Sequence, residues 1–289
     1  MRPTGLGLVL WSITLHAACE AEPQTPVFAD GPLSLHDIQV GLGRDGVPHD
    51  LIIHARGRVR GGQPGRVTLP LRIACDVGEH RLVTPTRFVQ DSTSTFPVDA
   101  ADELALETEA GRGVAWPAPP ARCELTFRLD PTADRGSFPV VPKEKRCWEG
   151  GALRAGPCSW SPPPRPAEAL AVHDARGAYA GGQLWLTAAL QSRDGLPDRG
   201  FFIAEARCGA SAPLTTDTRL TSQEGAVLAP GESMMMVLPP LGLPSAAPAA
   251  CDVIFGWVPI IGEQPEGIPT ELARICVTAT GSQPGPCPG

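Results

Sequence analysis

Hydrophobic and polar residues alternate with a period of two along several stretches of this chain. In Arg66–Cys75, with the sequence RVTLPLRIAC, the five residues at every second position from Val67 onward are apolar. The same alternation recurs in four other stretches: Asp50–Arg60, Arg122–Leu129, Leu184–Leu190 and Cys251–Trp257. This period predicts strands with one buried side and one solvent-facing side, which is typical of antiparallel sheets.

Glycine and proline interrupt these stretches, and a helical period is almost absent. The chain contains 32 glycines and 33 prolines among its 289 residues. Short strands separated by such residues predict an all-β fold of antiparallel β-sandwiches. In broad architecture the pattern resembles immunoglobulin-like domains, which implies two packed sheets in each domain. The Cys–Trp–Cys spacing of true immunoglobulin domains is missing, so the order of the strands stays open.

Eight of the cysteines fall into two sets of four with similar spacing. The sets are Cys75, Cys123, Cys147 and Cys158 in the first half, and Cys208, Cys251, Cys276 and Cys287 in the second. Successive separations are 48, 24 and 11 residues in the first set and 43, 25 and 11 in the second. Each set ends in Gly-Pro-Cys, and LSLHD at Leu33–Asp37 returns as LAVHD at Leu170–Asp174. These matches predict one ancestral domain that was duplicated.

The length of the chain agrees with duplication, because 289 residues have room for about two domains. We predict a signal peptide at 1–18, a flexible tether at 19–30, one sandwich repeat at 31–159, a linker at 160–167 and a second repeat at 168–289. The linker contains the proline-rich run SPPPRP, which favours an extended and fairly stiff spacer.

The chain has nine cysteines but no C-x-x-C pair, which does not fit a zinc ribbon or finger. Disulfides in an oxidising compartment are the better interpretation. Four cysteines allow three pairings in each repeat. Cys75 ends a predicted strand and Cys123 begins one, so they would meet if these strands were antiparallel neighbours. The pairs expected on this basis are Cys75–Cys123, Cys147–Cys158, Cys208–Cys251 and Cys276–Cys287.

The first residues have the pattern of a secretory signal. Arg2 precedes an apolar stretch at Gly5–Leu15 that is too short to span a bilayer. The following HAAC resembles the lipobox of bacterial lipoproteins, which implies that Cys19 is lipidated and anchors the chain in the bacterial outer membrane or periplasm. The lipobox usually has leucine three positions before the cysteine, whereas here that position is His16. The alternative is ordinary cleavage after Ala17, which leaves a secreted protein with a free Cys19.

Motifs that carry catalytic chemistry are scarce. His36–Asp37 and His173–Asp174 occupy matching places, and such pairs could bind a metal or form half of a catalytic dyad. The alternative is a pair of strand-start residues that make local hydrogen bonds. Ser233, in PGESMMM, comes nearest to a nucleophile elbow, but the second glycine is missing. No zincin, P-loop or dinucleotide-binding pattern occurs, so no catalytic residue, cofactor or metal site is assigned.

Charge excludes one class of partner and suggests another. A net charge of −7 does not suit the phosphate backbone of nucleic acids. Arg56, Arg58 and Arg60 would form a basic row on one strand face, either as a contact for an acidic partner or as a solvated surface. Trp148 and Trp160 could anchor a partner or a glycan, or could pack between the domains.

These observations predict a non-enzymatic lipoprotein of the cell envelope with a structural role or a binding role toward a protein or glycan. The alternative is a secreted enzyme or metal-binding carrier that uses His36 and Asp37, or His173 and Asp174. A cleft in which acid, base and nucleophile converge would distinguish the enzyme from the binding protein.

Overall fold

The computed structural model describes most of the chain after the first 23 residues. The described ranges are 24–44, 47–60, 66–91, 93–97, 102–108, 118–131, 143–195, 199–209, 211–221, 228–243, 249–261, 264–265 and 268–288. Within these ranges the regular structure consists of β-strands, and no helix is present. Cys19, the predicted signal peptide and the first part of the predicted tether, 19–23, lie outside the described residues.

The strands divide between two halves of the chain. The first half contains β1 (Leu33–Arg44), β2 (Val47–Val59), β3 (Arg66–Thr68), β4 (Pro70–Val77), β5 (His80–Val89), β6 (Phe96–Pro97), β7 (Glu103–Thr108), β8 (Arg122–Arg128), β9 (Asp130–Pro131), β10 (Lys143–Glu149) and β11 (Ala152–Ala155). The second half contains β12 (Leu170–Ala180), β13 (Gln183–Ser192), β14 (Arg199–Cys208), β15 (Leu214–Thr221), β16 (Ser233–Val237), β17 (Leu241–Gly242), β18 (Ala250–Ile261), β19 (Gln264–Pro265), β20 (Thr270–Thr278) and β21 (Gly281–Pro284).

Both halves pair their strands in the same order. In the first half, the antiparallel runs are β1-β2-β7 and β5-β4-β8-β10-β11, and β7 also pairs with the end of β5, so the two runs form one continuous, nearly closed sheet. In the second half, β12-β13-β16 and β15-β14-β18-β20-β21 form the corresponding antiparallel runs. Each half therefore has a three-stranded run and a five-stranded run, with equivalent strands in equivalent places.

The alternation of the sequence matches the burial of the side chains. The residues expected on the inner faces are buried in both halves, among them Leu51, Ile53, Leu71, Ile73, Leu125, Phe127, Leu184, Leu186, Val253 and Phe255. They form two hydrophobic cores, one for each half, and each core takes residues from both runs of strands. Burial of one apolar face for each run is the main stabilising contribution in such a fold.

Four disulfides join the cysteines in the pairs favoured by the sequence: Cys75–Cys123, Cys147–Cys158, Cys208–Cys251 and Cys276–Cys287. The first and third connect residues that lie directly opposite each other, on β4 and β8 and on β14 and β18. These bonds therefore lie within one sheet, whereas the disulfide of antibody domains connects two sheets. All-β structure, antiparallel pairing and the disulfides agree with the prediction.

The repeated Gly-Pro-Cys ending has a conformational reason. Gly156 and Gly285 have φ angles of 88° and 91°, a region that side chains with a Cβ rarely adopt. Their backbone N–H groups donate to the carbonyl oxygens of Lys145 and Arg274, at 3.0 and 2.9 Å. This glycine turns the chain after the last hairpin of each half, so that the following cysteine returns to the sheet.

The prediction of two separate immunoglobulin-like domains is not matched, because the halves share a sheet. β5 pairs in parallel with β16 through Leu82–Ser233 and Val83–Met234. The three-stranded run of the second half thereby continues into the five-stranded run of the first. We call the contact between the halves around β5 and β16 the seam.

The proline-rich linker also differs from the expected free spacer, because side chains of both halves hold it. The Arg122 guanidinium donates to the carbonyl oxygen of Ser159, and Arg81 donates to that of Ser161 at 2.8 Å. From the second half, the Gln191 amide donates to the carbonyl oxygen of Pro164 at 3.0 Å. The linker has no helix or strand at 157–166, and its backbone is hydrogen-bonded along the seam.

Candidate functional site

The two His–Asp pairs lie in matching β-bulges. The β1–β2 register shifts between His36 and Gln39, and the β12–β13 register shifts between His173 and Arg176. The aspartate in each bulge has a positive φ, 51° in the first half and 49° in the second. Aspartate tolerates this left-handed conformation better than most residues do. The repeated His-Asp motif is therefore a bulge signature, because its aspartate supplies the backbone turn.

In the second half the bulge aligns three polar side chains. His173 Nδ1 lies 3.1 Å from a carboxylate oxygen of Asp174, and His173 Nε2 lies 2.9 Å from the Ser233 hydroxyl. A carboxylate accepts hydrogen bonds only, so Nδ1 carries the proton in the neutral ring and Nε2 accepts from the serine. The order Asp–His–Ser is that of a hydrolase triad.

A second imidazole lies against this group. The rings of His80 and His173 stack with centroids 3.8 Å apart and planes 17° from parallel. His80 is the first residue of β5, so the stack connects the two halves across the seam. Burial lowers the pKa of His173, and the neighbouring His80 lowers it further, while the hydrogen bond to Asp174 raises it. Burial is the largest of these effects, so the neutral imidazole is favoured at neutral pH.

Access decides what this group of residues can do. The Ser233 side chain is 0% exposed. Its strand is paired on both sides, with Gln191 of β13 and with Leu82 of β5. A nucleophilic serine has to reach the substrate carbonyl, and a hydroxyl between two hydrogen-bonded strands cannot do so. The triad order is present, but the described structure has no open path to its serine.

The first half provides an internal comparison for the same contact. His36 Nε2 lies 3.5 Å from a carboxylate oxygen of Glu103, and Asp37 lies 3.9 Å from the Arg56 guanidinium. Glu103 is opposite Arg58 on β2, which is the place that Ser233 has opposite Gln191 on β13. In both halves the bulge histidine therefore contacts the same position of the third strand of its run, across the middle strand. This repetition indicates a structural contact.

The described residues do not provide a metal centre. No group of three or more histidine, cysteine, aspartate or glutamate side chains in the described ranges could hold an ion. Both nitrogens of His173 already contact protein atoms, and the eight cysteines of the described ranges are bonded in pairs. The alternative of a metal carrier based on His36 or His173 therefore has no ligand set in the described part of the chain.

The remaining candidates have structural contacts. Arg56 and Arg58 are more than half exposed and form surface ion pairs with Asp37 and Glu103. Trp148 is buried in the first core. The Arg81 guanidinium lies over the Trp160 ring, 3.6 Å from its centroid, so Trp160 belongs to the seam. Sequence reasoning did not single out His80, because a lone histidine after a turn carries no signal of its long-range contact.

The first described residues, 24–28, lie against the first half. The Phe28 backbone N–H donates to Glu144 at 2.6 Å, and Arg146 donates to the carbonyl oxygens of Thr25 and Pro26, both at 3.1 Å. A pocket of about 240 Å³ lies beside this segment and is lined in part by Arg146 and Arg154. These contacts hold residues 24–28 against β10.

Comparison with known proteins adds no family to this description. The chain matches no protein-family model and no curated protein. No helix in the described ranges is long and apolar enough to cross a membrane.

Proposed function

We propose that this chain is a non-enzymatic lipoprotein of the bacterial cell envelope, anchored through Cys19, in which two immunoglobulin-like repeats present a surface to a protein or a glycan. The observation that carries the proposal is the set of four disulfides, two in each half. Disulfides persist in oxidising compartments, so they are compatible with an exported protein. The paired cysteines leave Cys19 as the odd one, and lipidation gives an unpaired thiol a role.

The equal order of strand pairing supports duplication of one domain. A three-stranded run and a five-stranded run recur in each half, although pairing of β7 with β5 joins the two runs of the first half, and we propose that the seam formed after duplication. A non-enzymatic role is supported by the burial of Ser233 and by the counterpart contact between His36 and Glu103. Both observations explain the His–Asp motif without catalysis.

The proposal is tested by the mass and location of the mature protein. We expect an intact mass that contains the lipid and four disulfides, no free thiol, and recovery in the membrane fraction. In the Cys19→Ala variant, the protein should move to the soluble fraction with its four disulfides unchanged. Recovery of the wild type in the soluble fraction, with one free thiol, would support ordinary secretion instead.

A serine hydrolase is the second candidate, favoured only by the contacts among Asp174, His173 and Ser233. A fluorophosphonate probe that labels accessible nucleophilic serines distinguishes the two. We expect no labelling of the wild type at Ser233. Labelling that disappears in Ser233→Ala but persists in Ser34→Ala, a buried serine of the other half, would establish the enzyme instead.

A further inference from the structure

We propose that the seam is an acid-sensitive lock, in which the stacked rings of His80 and His173 hold the two halves together while both are neutral and loosen them when they are protonated. This inference does not depend on the lipid, because it concerns residues of the described halves only. It adds a conformational response to the proposed binding role.

The stack lies where the connection between the halves is short. β5 and β16 pair through two residue pairs only, Leu82–Ser233 and Val83–Met234. His80 is two residues before Leu82, and His173 contacts Ser233 directly. Loss of the stack would therefore act on the same few residues that join the two halves into one sheet.

Protonation changes the chemistry of the stack. Two neutral imidazoles attract each other through stacking, whereas two imidazolium rings with centroids 3.8 Å apart carry like charges face to face. His80 Nδ1 is buried and has no hydrogen-bond partner among the described residues. A proton on that nitrogen has no acceptor in the closed seam, so protonation favours the conformation in which water reaches the ring.

Other charged groups around the stack are paired. On β12, Asp174 accepts a hydrogen bond from His173. On β4 and β5, Arg81 pairs with Asp76 at 3.1 Å, and Arg72 pairs across the seam with Glu232, which precedes β16. Glu79, in the turn before His80, is exposed. Carboxylates and guanidinium groups ordinarily titrate outside pH 5–7.5, so histidine is the side chain that responds in this window.

The direction of the response follows from the burial of His173. Burial lowers its pKa below the ordinary value of 6.5, so the closed seam binds this proton more weakly than an open seam does. Acid therefore shifts the equilibrium toward opening as the pH falls below 6.5. The proton that His173 takes up on opening changes the opening equilibrium by at most about tenfold per pH unit.

Hydrogen exchange on the exported, disulfide-bonded protein tests this lock. Protection of the amides in Leu82–Val83 and Ser233–Met234, corrected for the intrinsic rate at each pH, is measured at pH 7.5 and 5.0. We expect protection to fall by several-fold, up to about tenfold for each pH unit below 6.5, while the amides of Leu125–Phe127 in the first core keep theirs. Equal protection at both pH values would overturn the proposal.

Substitution separates the stack from other effects of acid. His80→Phe keeps an aromatic ring on His173 but removes the like charge that faces it in acid, so we expect a smaller fall in protection than in the wild type, with only His173 still able to respond. His36→Phe is the matched control, because His36 occupies the same bulge outside the seam, and it should respond like the wild type. A full response in His80→Phe, or its loss in His36→Phe, contradicts the proposal.

A further variant keeps the test decisive if His80→Phe folds poorly. Asp174→Asn removes the carboxylate that favours protonated His173. The midpoint of the loss of protection should therefore move to lower pH, and a midpoint that stays or rises would contradict the proposed role of His173.

Discussion

The bulges around His36 and His173 have the same sequence motif, the same register shift and a contact at the same position of the third strand of their run, yet their surroundings differ. In the first half the partner is Glu103, which is 56% exposed. In the second half it is Ser233, which is 0% exposed because β5 covers its strand. The comparison shows that the His-Asp motif determines the local backbone conformation. Whether the partner of the histidine is exposed or buried depends instead on packing between the two halves.

We expect the largest loss of stability when a disulfide is removed, and the same unfolding experiments show whether the two halves unfold together. Cys75→Ala with Cys123→Ala should lower the free energy of unfolding by roughly 4 kcal/mol, because the closed loop of 48 residues no longer restricts the unfolded chain. The shorter loop of Cys276–Cys287 should contribute about 3 kcal/mol. Denaturant unfolding followed by fluorescence and by circular dichroism measures both. Two separate transitions in the wild type would show that the halves unfold independently.

The next effect compares ion pairs inside and outside the seam. Arg72→Ala leaves the carboxylate of Glu232, which is only 7% exposed, without its partner, and should lower the free energy of unfolding by about 3 kcal/mol. Arg58→Ala removes an exposed pair with Glu103 and should cost less than about 1 kcal/mol. Equal losses in the two variants would mean that the seam does not bury its charges in solution.

A smaller effect compares the two strand partners of the bulge histidines. Ser233→Ala removes the donor to His173 Nε2 and should lower the free energy of unfolding by about 1–2 kcal/mol. Glu103→Ala should change it by less than about 1 kcal/mol, since solvent screens that pair. Thermal unfolding at pH 7.5 is sufficient for this comparison, and a larger loss for Glu103→Ala would reverse our interpretation of the bulges.

The smallest effect is the pH dependence contributed by His173. Its pKa is lowered in the folded state, so its contribution to stability is complete above the unfolded value of 6.5 and is lost as the pH falls toward the folded value. The slope from one group is at most about 1.4 kcal/mol per pH unit. We measure the free energy of unfolding of the wild type and of His173→Phe from pH 7.5 to 5.0. The wild type should lose more stability toward acid than the variant, and the two slopes should differ by no more than this amount.

The sequence predicts what depends on near neighbours. Alternation places Leu71 and Ile73 on the inner face of β4, and both are buried. Cysteine spacing and strand ends favour the pairing of Cys75 with Cys123, because directly opposed residues on neighbouring strands lie within bridging distance. These features are encoded within each half, so one sequence with its own internal repeat is enough to recover them.

The seam could not be predicted, because it depends on contacts between distant parts of the chain. Alternation assigns Ala74 to the solvent-facing side of β4, yet it is fully buried and belongs to the core of the second half. Val83 of β5 belongs to the same core. An outward alanine or valine is ordinary on a sheet surface, so neither residue signals a partner. The stacking of His80 on His173 could not be predicted either, because it also joins distant parts of the chain.

The linker was predicted in part. Its prolines predict an extended chain, and the structure has no helix or strand at 157–166. They do not reveal the amide of Gln191 or the guanidinium of Arg81, which hold the backbone in place from either side. Proline lacks a backbone N–H, so its peptide group offers only the carbonyl acceptor, and side-chain donors from both halves bind such carbonyls here.

The closed loops of the four disulfides also limit how far the molecule can lengthen under tension. They enclose separations of 48, 11, 43 and 11 residues, more than a third of the chain. A force that pulls the two ends apart cannot extend the residues inside a loop, because the bond between its ends is covalent. If one end is tethered and a force acts on the other, only the segments outside the loops can unfold and lengthen. The fully stretched molecule would therefore be much shorter than an unbridged chain of the same length.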